Sequence, residues 1–574
     1  DTDVDVTEHE SFERAQEVLS ATNPIHFPAS FPEVFDGDNS GFDVIVGNPP
    51  WEEATLEEDE FWMRYKPGLM GKSQTNQEQI KEQLRNDRPD LMEQYERELE
   101  AQEKVRAILK NGPYPGMGTG DPDLYKAFYW RFWNLACSGG EVGVVLPRSA
   151  FIAAGSEKFR RKLLNDGSVQ DLTFLKNKKG WVFNNMEHRY TIALLGFEKT
   201  EPDTETKLPL RGPFVDLESY QDGLQRGSSY FPLERARNWT GSAAFPLLPS
   251  DPRSVEVFKQ LAKSPPLDTD NSREWRARPT TEFHATNDKM TDDGEKIMHF
   301  TDDPPEEYWP ILKGASIMPS GKEHWINDTG VRYAWADPDF VVDYMYERRK
   351  SKSQHWASAF YEMPDEWVKQ RDTLPCLNAR VAFRDITNRT NTRTVRAALV
   401  RPKVFLTNKA PYFLWPRGDE KDEAYLLGVL NSIPLDWYAR RFVELNLNYH
   451  ILNSFPIPRP GDDSRLRKRV VELSGRLAAK EDCYSDWADE VGVDCGPMEK
   501  NDELEKIYEL DAVVAHLYGL TREHVEVIFE TFHDGWDYEE RLERVLDYYA
   551  SWADRLDLDH TDREAVQEAG TTDD

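Results

Sequence analysis

The segment Gly41-Phe-Asp-Val-Ile-Val-Gly-Asn48-Pro49-Pro50-Trp51 constrains the fold more than any other part of the chain. Residues 42–47 form an apolar run of strand length, closed by a glycine and two prolines. A run this short reads as a buried strand. Proline fixes its own φ and has no backbone N–H, so the ladder stops where the prolines begin. Asn48, two rigid carbonyls and an indole are therefore expected at the carboxyl end of a buried strand, where α/β sheets usually bind ligands. Asn48 offers a side-chain carbonyl and Pro49 a backbone carbonyl held by its ring. Trp51 offers a flat apolar face. Two acceptors beside a stacking surface suit an exocyclic amino group on a planar heterocycle, such as N6 of adenine. The lone pair of that nitrogen is delocalised into the ring. Holding both hydrogens on acceptors turns the pair toward an electrophilic methyl group. A base in a duplex must leave the stack to reach such a site. The competing reading is a plain turn, since Asn-Pro and Pro-Pro both form turns.

Downstream, strand and helix patterns alternate. Residues 74–110 are charged and periodic and predict a helix. Residues 123–138 predict an aromatic-faced helix stopped by Gly139-Gly140, and 141–146 a strand ended by Pro147. A helix over 156–165 and strands over 169–175 and 190–197 follow. Such alternation implies a parallel-type sheet covered by helices. Near residue 200 the pattern changes to short strands rich in Pro, Asp and Trp. The expected organisation is an α/β, partial Rossmann-like catalytic domain over 1–200 and a linker over 201–240. An irregular α+β domain over 241–460 follows, then a helical region over 461–574 with an acidic tail.

The net charge of −33 on 574 residues repels phosphates, so any nucleic-acid contact must come from a local exception. Residues 376–417 are that exception, with nine Lys or Arg against the single acid Asp385. Arg also outnumbers Lys, 42 to 29. Together these favour a DNA-binding protein with a salt-adapted, halophile-like acidic coat. The competing reading is a basic face packed against acid of the same chain. The four cysteines form no CxxC pair and the histidines no HExxH, so no metal site is expected. No apolar run approaches the roughly 20 residues of a membrane span, and a cytoplasmic location is expected.

The motif Phe31-Pro-Glu-Val-Phe35, followed by Gly41 to Trp51, resembles motif IV of the adenine-N6 amino-methyltransferases of type IIG restriction–modification enzymes. It is similar, too, to the related phage-exclusion methyltransferases. The resemblance continues in order. Gly120-Asp-Pro-Asp-Leu-Tyr-Lys-Ala-Phe128 resembles the motif V helix, Gly139 to Arg148 resembles motif VI, and Trp181-Val-Phe-Asn-Asn-Met-Glu-His-Arg-Tyr190 resembles motif VIII. Further landmarks at 283–288, 308–314, 378–394, 426–432 and 453–458 resemble the family's target-recognition region, and 507–520 its C-terminal helix.

The resemblance implies a site-specific DNA methyltransferase using S-adenosyl-L-methionine on a flipped adenine of double-stranded DNA. Asn48, Pro49, Pro50 and Trp51 would hold the base. Phe183 would cover its other face, with Trp181 and Tyr190 as rivals. Arg380, Arg384, Arg389, Asn391, Arg393, Arg396 and Lys409 are the candidate DNA contacts, since Arg and Asn read base edges and Lys holds phosphates. One departure matters. The family's glycine loop after a first strand, and the acid after a second, are missing; only Asn48 remains as a cofactor candidate. Gly116-Met-Gly-Thr-Gly120 follows no strand pattern and reads as a loop. The chain, which opens on Asp1, is therefore expected to be a fragment, a split subunit or a partner-dependent half. Another polypeptide would then supply the cofactor site. The alternatives are a DNA-recognition subunit with an idle motif, and a methyltransferase acting on RNA or protein.

Overall fold

In the computed structural model, residues 12–14, 16, 25–72, 74–117, 122–188, 190–249, 251–271, 274–317, 325–389, 391–533 and 535–557 are described. Parts of the expected Gly116–Gly120 loop and the acidic tail lie outside them. The fold is a mixed α/β arrangement in two compact units. The first comprises residues 1–211, 215–217 and 230–233, and the second comprises 212–214, 218–229 and 234–574.

The first unit is built on a six-stranded sheet. Its strands are β1 (Phe42–Gly47), β2 (Ala136–Pro147), β3 (Ser168–Lys176), β4 (Thr191–Glu198), β5 (Lys207–Phe214) and β6 (Ser229–Pro232). Their order is β1-β2-β4-β3-β5-β6. β1 runs parallel to β2, with Gly47 opposite Val144. β4 runs antiparallel to both β2 and β3. The expected parallel-type sheet is thus mixed. The reason is the β3–β4 connection, which holds one 3-10 turn and no crossover helix, and a parallel pair needs such a crossover.

The expected helix over 123–138 ends sooner, at Leu135, and β2 starts at Ala136. Gly139-Gly140 lies inside that strand instead of stopping a helix. A Cβ on Gly140 would sit 2.8 Å from the Phe42 carbonyl oxygen, so glycine here permits close approach of β1. The expected helix over 74–110 is two, Gln74–Asp87 and Pro89–Asn111, divided at Pro89.

The second unit contains two small sheets and most of the helices. Strands β7 (Arg276–Thr280), β10 (Arg380–Phe383), β11 (Ala397–Val400) and β13 (Tyr412–Arg417) form one sheet, ordered β11-β10-β13-β7. Strands β8 (Trp309–Leu312), β9 (Ala334–Ala336) and β12 (Phe405–Leu406) form the other, ordered β12-β8-β9. Ala382, Ala398, Val400, Leu406 and Tyr412 meet in one core, and Phe283, Ile311, Val341 and Phe405 in a second. Residues 201–240 contain strand and helix rather than bare linker. Long helices follow β13, including Arg465–Ala478, Lys500–Leu517 and Glu539–Asp557. Among the described residues no helix is long and apolar enough to cross a membrane.

Candidate target-base site

Sheet register gathers the site. Gly47 ends β1, Pro147 ends β2 opposite Ile192 of β4, and Lys176 at the end of β3 faces Thr191. The Asn48–Trp51 segment and the 177–190 loop therefore leave the sheet at the same end. After Trp51 the chain is pinned. Ala54 N donates to the Pro122 carbonyl at 2.9 Å, and Leu124 N to the Glu52 carbonyl at 2.9 Å. Those bonds tie the motif to the start of the helix Leu124–Leu135. Gly47 packs closely on the same helix, since a Cβ there would lie 2.6 Å from the end of the Phe132 ring and make that ring move.

Asn48 is exposed, Pro49 buried, Pro50 exposed and Trp51 half-buried. Phe183 is half-buried and faces Trp51, the ring centroids 6.4 Å apart and the planes at 86°. A base sandwiched between parallel rings needs about 7 Å, two ring thicknesses. At 6.4 Å and edge-on the two rings are in contact with each other, so a sandwich requires one ring to turn and make room. Of the rivals, Trp181 donates its indole N–H to the Lys176 carbonyl at 2.6 Å, and Tyr190 is 50% exposed. The Trp51 indole N–H is enclosed and meets no acceptor among the described residues.

Sequence reasoning missed Asn177. It is fully buried at the end of β3. Its amide nitrogen donates to the carbonyls of Phe183, at 2.9 Å, and Met186, at 3.2 Å. Its carbonyl accepts the backbone N–H of Val182, at 3.2 Å, and Phe183, at 3.0 Å. The available signal was the cluster Lys176-Asn-Lys-Lys-Gly180, since asparagine near glycine favours side-chain-closed turns.

The basic window divides in two. Arg380 is buried and paired with Glu282, itself fully buried, at 2.9 Å. Arg393 is buried and paired with the fully buried Asp436 at 2.7 Å. Arg396 is buried and donates to the Arg393 carbonyl at 3.0 Å; burial pushes its guanidinium down to about 10. These three guanidiniums are buried and taken up by partners in their own unit. Arg384, Arg389, Asn391 and Lys409 are only half-buried. Arg384 donates to the Ile386 carbonyl at 2.7 Å, Arg389 pairs with Glu444 at 3.3 Å, and Lys409 with Asp385 at 3.0 Å. Arg440, buried below this loop, donates to the carbonyls of Arg389 at 2.8 Å, Asn391 at 2.7 Å and Thr392 at 2.6 Å. A polar hairpin tip is thus held on a buried cation.

No group of three or more His, Cys, Asp or Glu that could hold a metal occurs among the described residues, and all four cysteines are free thiols. A nucleotide-cofactor site of the glycine-loop kind needs a strand ahead of β1 and a glycine turn leading into a helix. Among the described residues β1 is the edge of its sheet and no such strand precedes it. Among the described residues that strand and glycine turn do not occur.

Residues 1–87 match the sequence profile of the family described as Eco57I restriction-modification methylase, a stretch that includes β1 and Asn48–Trp51. No curated protein matches the chain. Among solved structures, it is similar to the type IIL restriction-modification enzyme MmeI in complex with DNA. That match has a TM-score of 0.41 and 12% identity, and covers 88% of this chain and 58% of that one. It is also similar to the type IIG restriction endonuclease BpuSI, with a TM-score of 0.27 and 13% identity, covering 90% of this chain and 55% of that one. A third match is a nuclease-deletion mutant of the type ISP enzyme LlaGI, with a TM-score of 0.33 and 10% identity, covering 82% and 36%. The chain thus spans between about a third and three fifths of the length of these enzymes. The sequence comparison places Asn48–Trp51 within a match, over residues 1–87, to a restriction-modification methylase family.

Proposed function

We propose that this chain is the target-base and DNA-recognition half of a site-specific adenine-N6 DNA methyltransferase of a restriction–modification or phage-defence system. The observation that carries the reading is the edge-on pair of rings, Trp51 and Phe183, with an exposed Asn48 at the same sheet end. The Eco57I-type profile over residues 1–87 supports the methylase class. In this reading a flipped adenine lies between the two rings. The Asn48 side-chain carbonyl and the Pro49 backbone carbonyl accept its N6 hydrogens. Arg384, Arg389, Asn391 and Lys409 contact duplex DNA. The methyl donor is S-adenosylmethionine, and the acidic coat reflects adaptation to high salt.

A second observation bears on where the cofactor-bearing part sits, whether it belongs to the same protein, to a split subunit or to a partner. β1 pairs in parallel with β2, and parallel strands are normally covered on both sides. Yet Val44 is 61% and Val46 83% exposed. We read this edge as the seat of the cofactor-bearing polypeptide. The test is methyl transfer from S-adenosylmethionine to DNA by the chain, alone and with that polypeptide. Asn48→Ala is expected to lower transfer about 100-fold, the usual scale for losing one electrostatic contact to the reacting group. Unchanged adenine methylation by Asn48→Ala would remove the assignment.

A further inference from the structure

We infer that Asn177 is a positioning residue for the target base, acting through Phe183; this rests on the function proposed above. Its side-chain amide makes all four hydrogen bonds such a group can make, two given and two received. All four go to the backbone of the turn that carries Phe183, and two of them go to Phe183 itself. The main chain of Asn177 closes the same loop from the other side. Its N–H donates to the Tyr190 carbonyl at 2.9 Å, and its carbonyl accepts the Gly180 N–H at 2.9 Å. One fully buried residue thus spans the loop from Gly180 to Tyr190.

The consequence concerns geometry at the rings. The backbone of Phe183 is held at both its N–H and its C=O, so the backbone cannot swing the phenyl ring toward or away from Trp51. The change from the edge-on arrangement at 86° to a sandwich is left to side-chain rotation. The loop therefore presents a fixed anchor, and the ring turns upon it. A preformed anchor spares the ordering cost that a mobile loop would add when the base arrives. Aspartate at 177 keeps the two acceptor bonds but sets an oxygen against two carbonyls. Alanine removes all four bonds.

A double-mutant cycle tests this role. Methyl transfer from tritiated S-adenosylmethionine to plasmid DNA is measured for the wild type, N177A, F183A and N177A/F183A. The protein is assayed with the cofactor-bearing polypeptide, and melting temperature serves as a control for folding. N177A is expected to lower kcat about tenfold or more with a smaller change in KM, and N177D to fall between N177A and the wild type. In the F183A background, N177A is expected to add less than twofold, because both changes remove one ring from one place. Independent, multiplying losses in the cycle would overturn the role of Asn177 while leaving the proposed function standing. An N177A enzyme with wild-type kcat would overturn it likewise. Should N177A fail to fold, N177D is carried through the same cycle under the same two criteria. Absence of transfer by the wild type would overturn the proposed function, and the role of Asn177 with it.

Discussion

β1 is made of Phe, Val and Ile around one Asp, yet it leaves Val44 61% and Val46 83% exposed. β10 begins with an arginine, yet all four of its residues are buried. The two strands belong to different units and each inverts what its composition suggests. The difference is position. β10 lies between β11 and β13, so its ladder is used on both sides, and the helix Glu420–Leu430 packs against it. β1 lies at the end of its order, with β2 as its one partner among the described residues. A strand is buried by its neighbours, and hydropathy only says whether burial is tolerable. In β10 the arginine is tolerable because Glu282 was buried with it. One guanidinium nitrogen of Arg380, Nη2, shares its two hydrogens among both Glu282 oxygens, at 2.9 and 3.1 Å, and the Val404 carbonyl, at 3.0 Å.

The largest expected effect comes from breaking that buried pair. Glu282→Ala leaves a guanidinium without its counter-charge and is expected to cost about 3–5 kcal/mol in chemical unfolding. A loss below about 1 kcal/mol would show that water reaches β10, and the contrast with β1 would collapse.

A second test uses a carboxylate of the same unit that lacks a guanidinium. Burial, and then the neighbouring Glu420, Asp419 and Asp422, push Glu423 up to about 8, against the Trp487 indole N–H that donates to it at 2.9 Å. In the fold this acid keeps a proton that the unfolded chain releases near its ordinary value of 4.5. The folded state then binds more protons between those two values, so stability falls as pH rises through that window. Melting temperature across pH is expected to show this decline, and Glu423→Gln to flatten it. An unchanged profile in the glutamine variant would place the decline elsewhere.

The smallest effect sharpens the comparison most directly. One substitution is made on both strands. Val381→Ala, at a fully buried position, is expected to cost about 2 kcal/mol. Val46→Ala is expected to stay within about 0.5 kcal/mol, as exposed positions usually do. Similar losses at both would mean that β1 is covered in solution.

Much of the first unit was legible because its signals are local. Proline and glycine mark the end of β1, and a hydrophobic period marks the helices around β2 and β3. What failed depended on distant partners. Nothing in Arg380-Val-Ala-Phe383 says that a glutamate almost a hundred positions earlier in the chain will neutralise it. Nothing in Gly139-Gly140 separates a helix stop from a strand that must let Phe42 pass close by. Trp51 was named from its segment and Phe183 through the family resemblance, but their mutual angle belongs to the folded sheet. Asn177 was hidden among lysines, since a lone asparagine gives no sign of how many backbone groups it will hold.

The uncovered edge of β1 also governs how copies of the chain meet. Among the described residues no strand pairs with the outer side of β1, and such a side is a template on which another copy could add a strand. Asp43, exposed on that strand, sets a charge at the point of contact. Behind it stands the repulsion between two bodies that each carry a net charge of −33. That repulsion reaches only about 8 Å at physiological ionic strength and fades as carboxylates take up protons. The colloidal stability of this chain therefore rests on its ionised carboxylates, as a condition separate from whether it is folded.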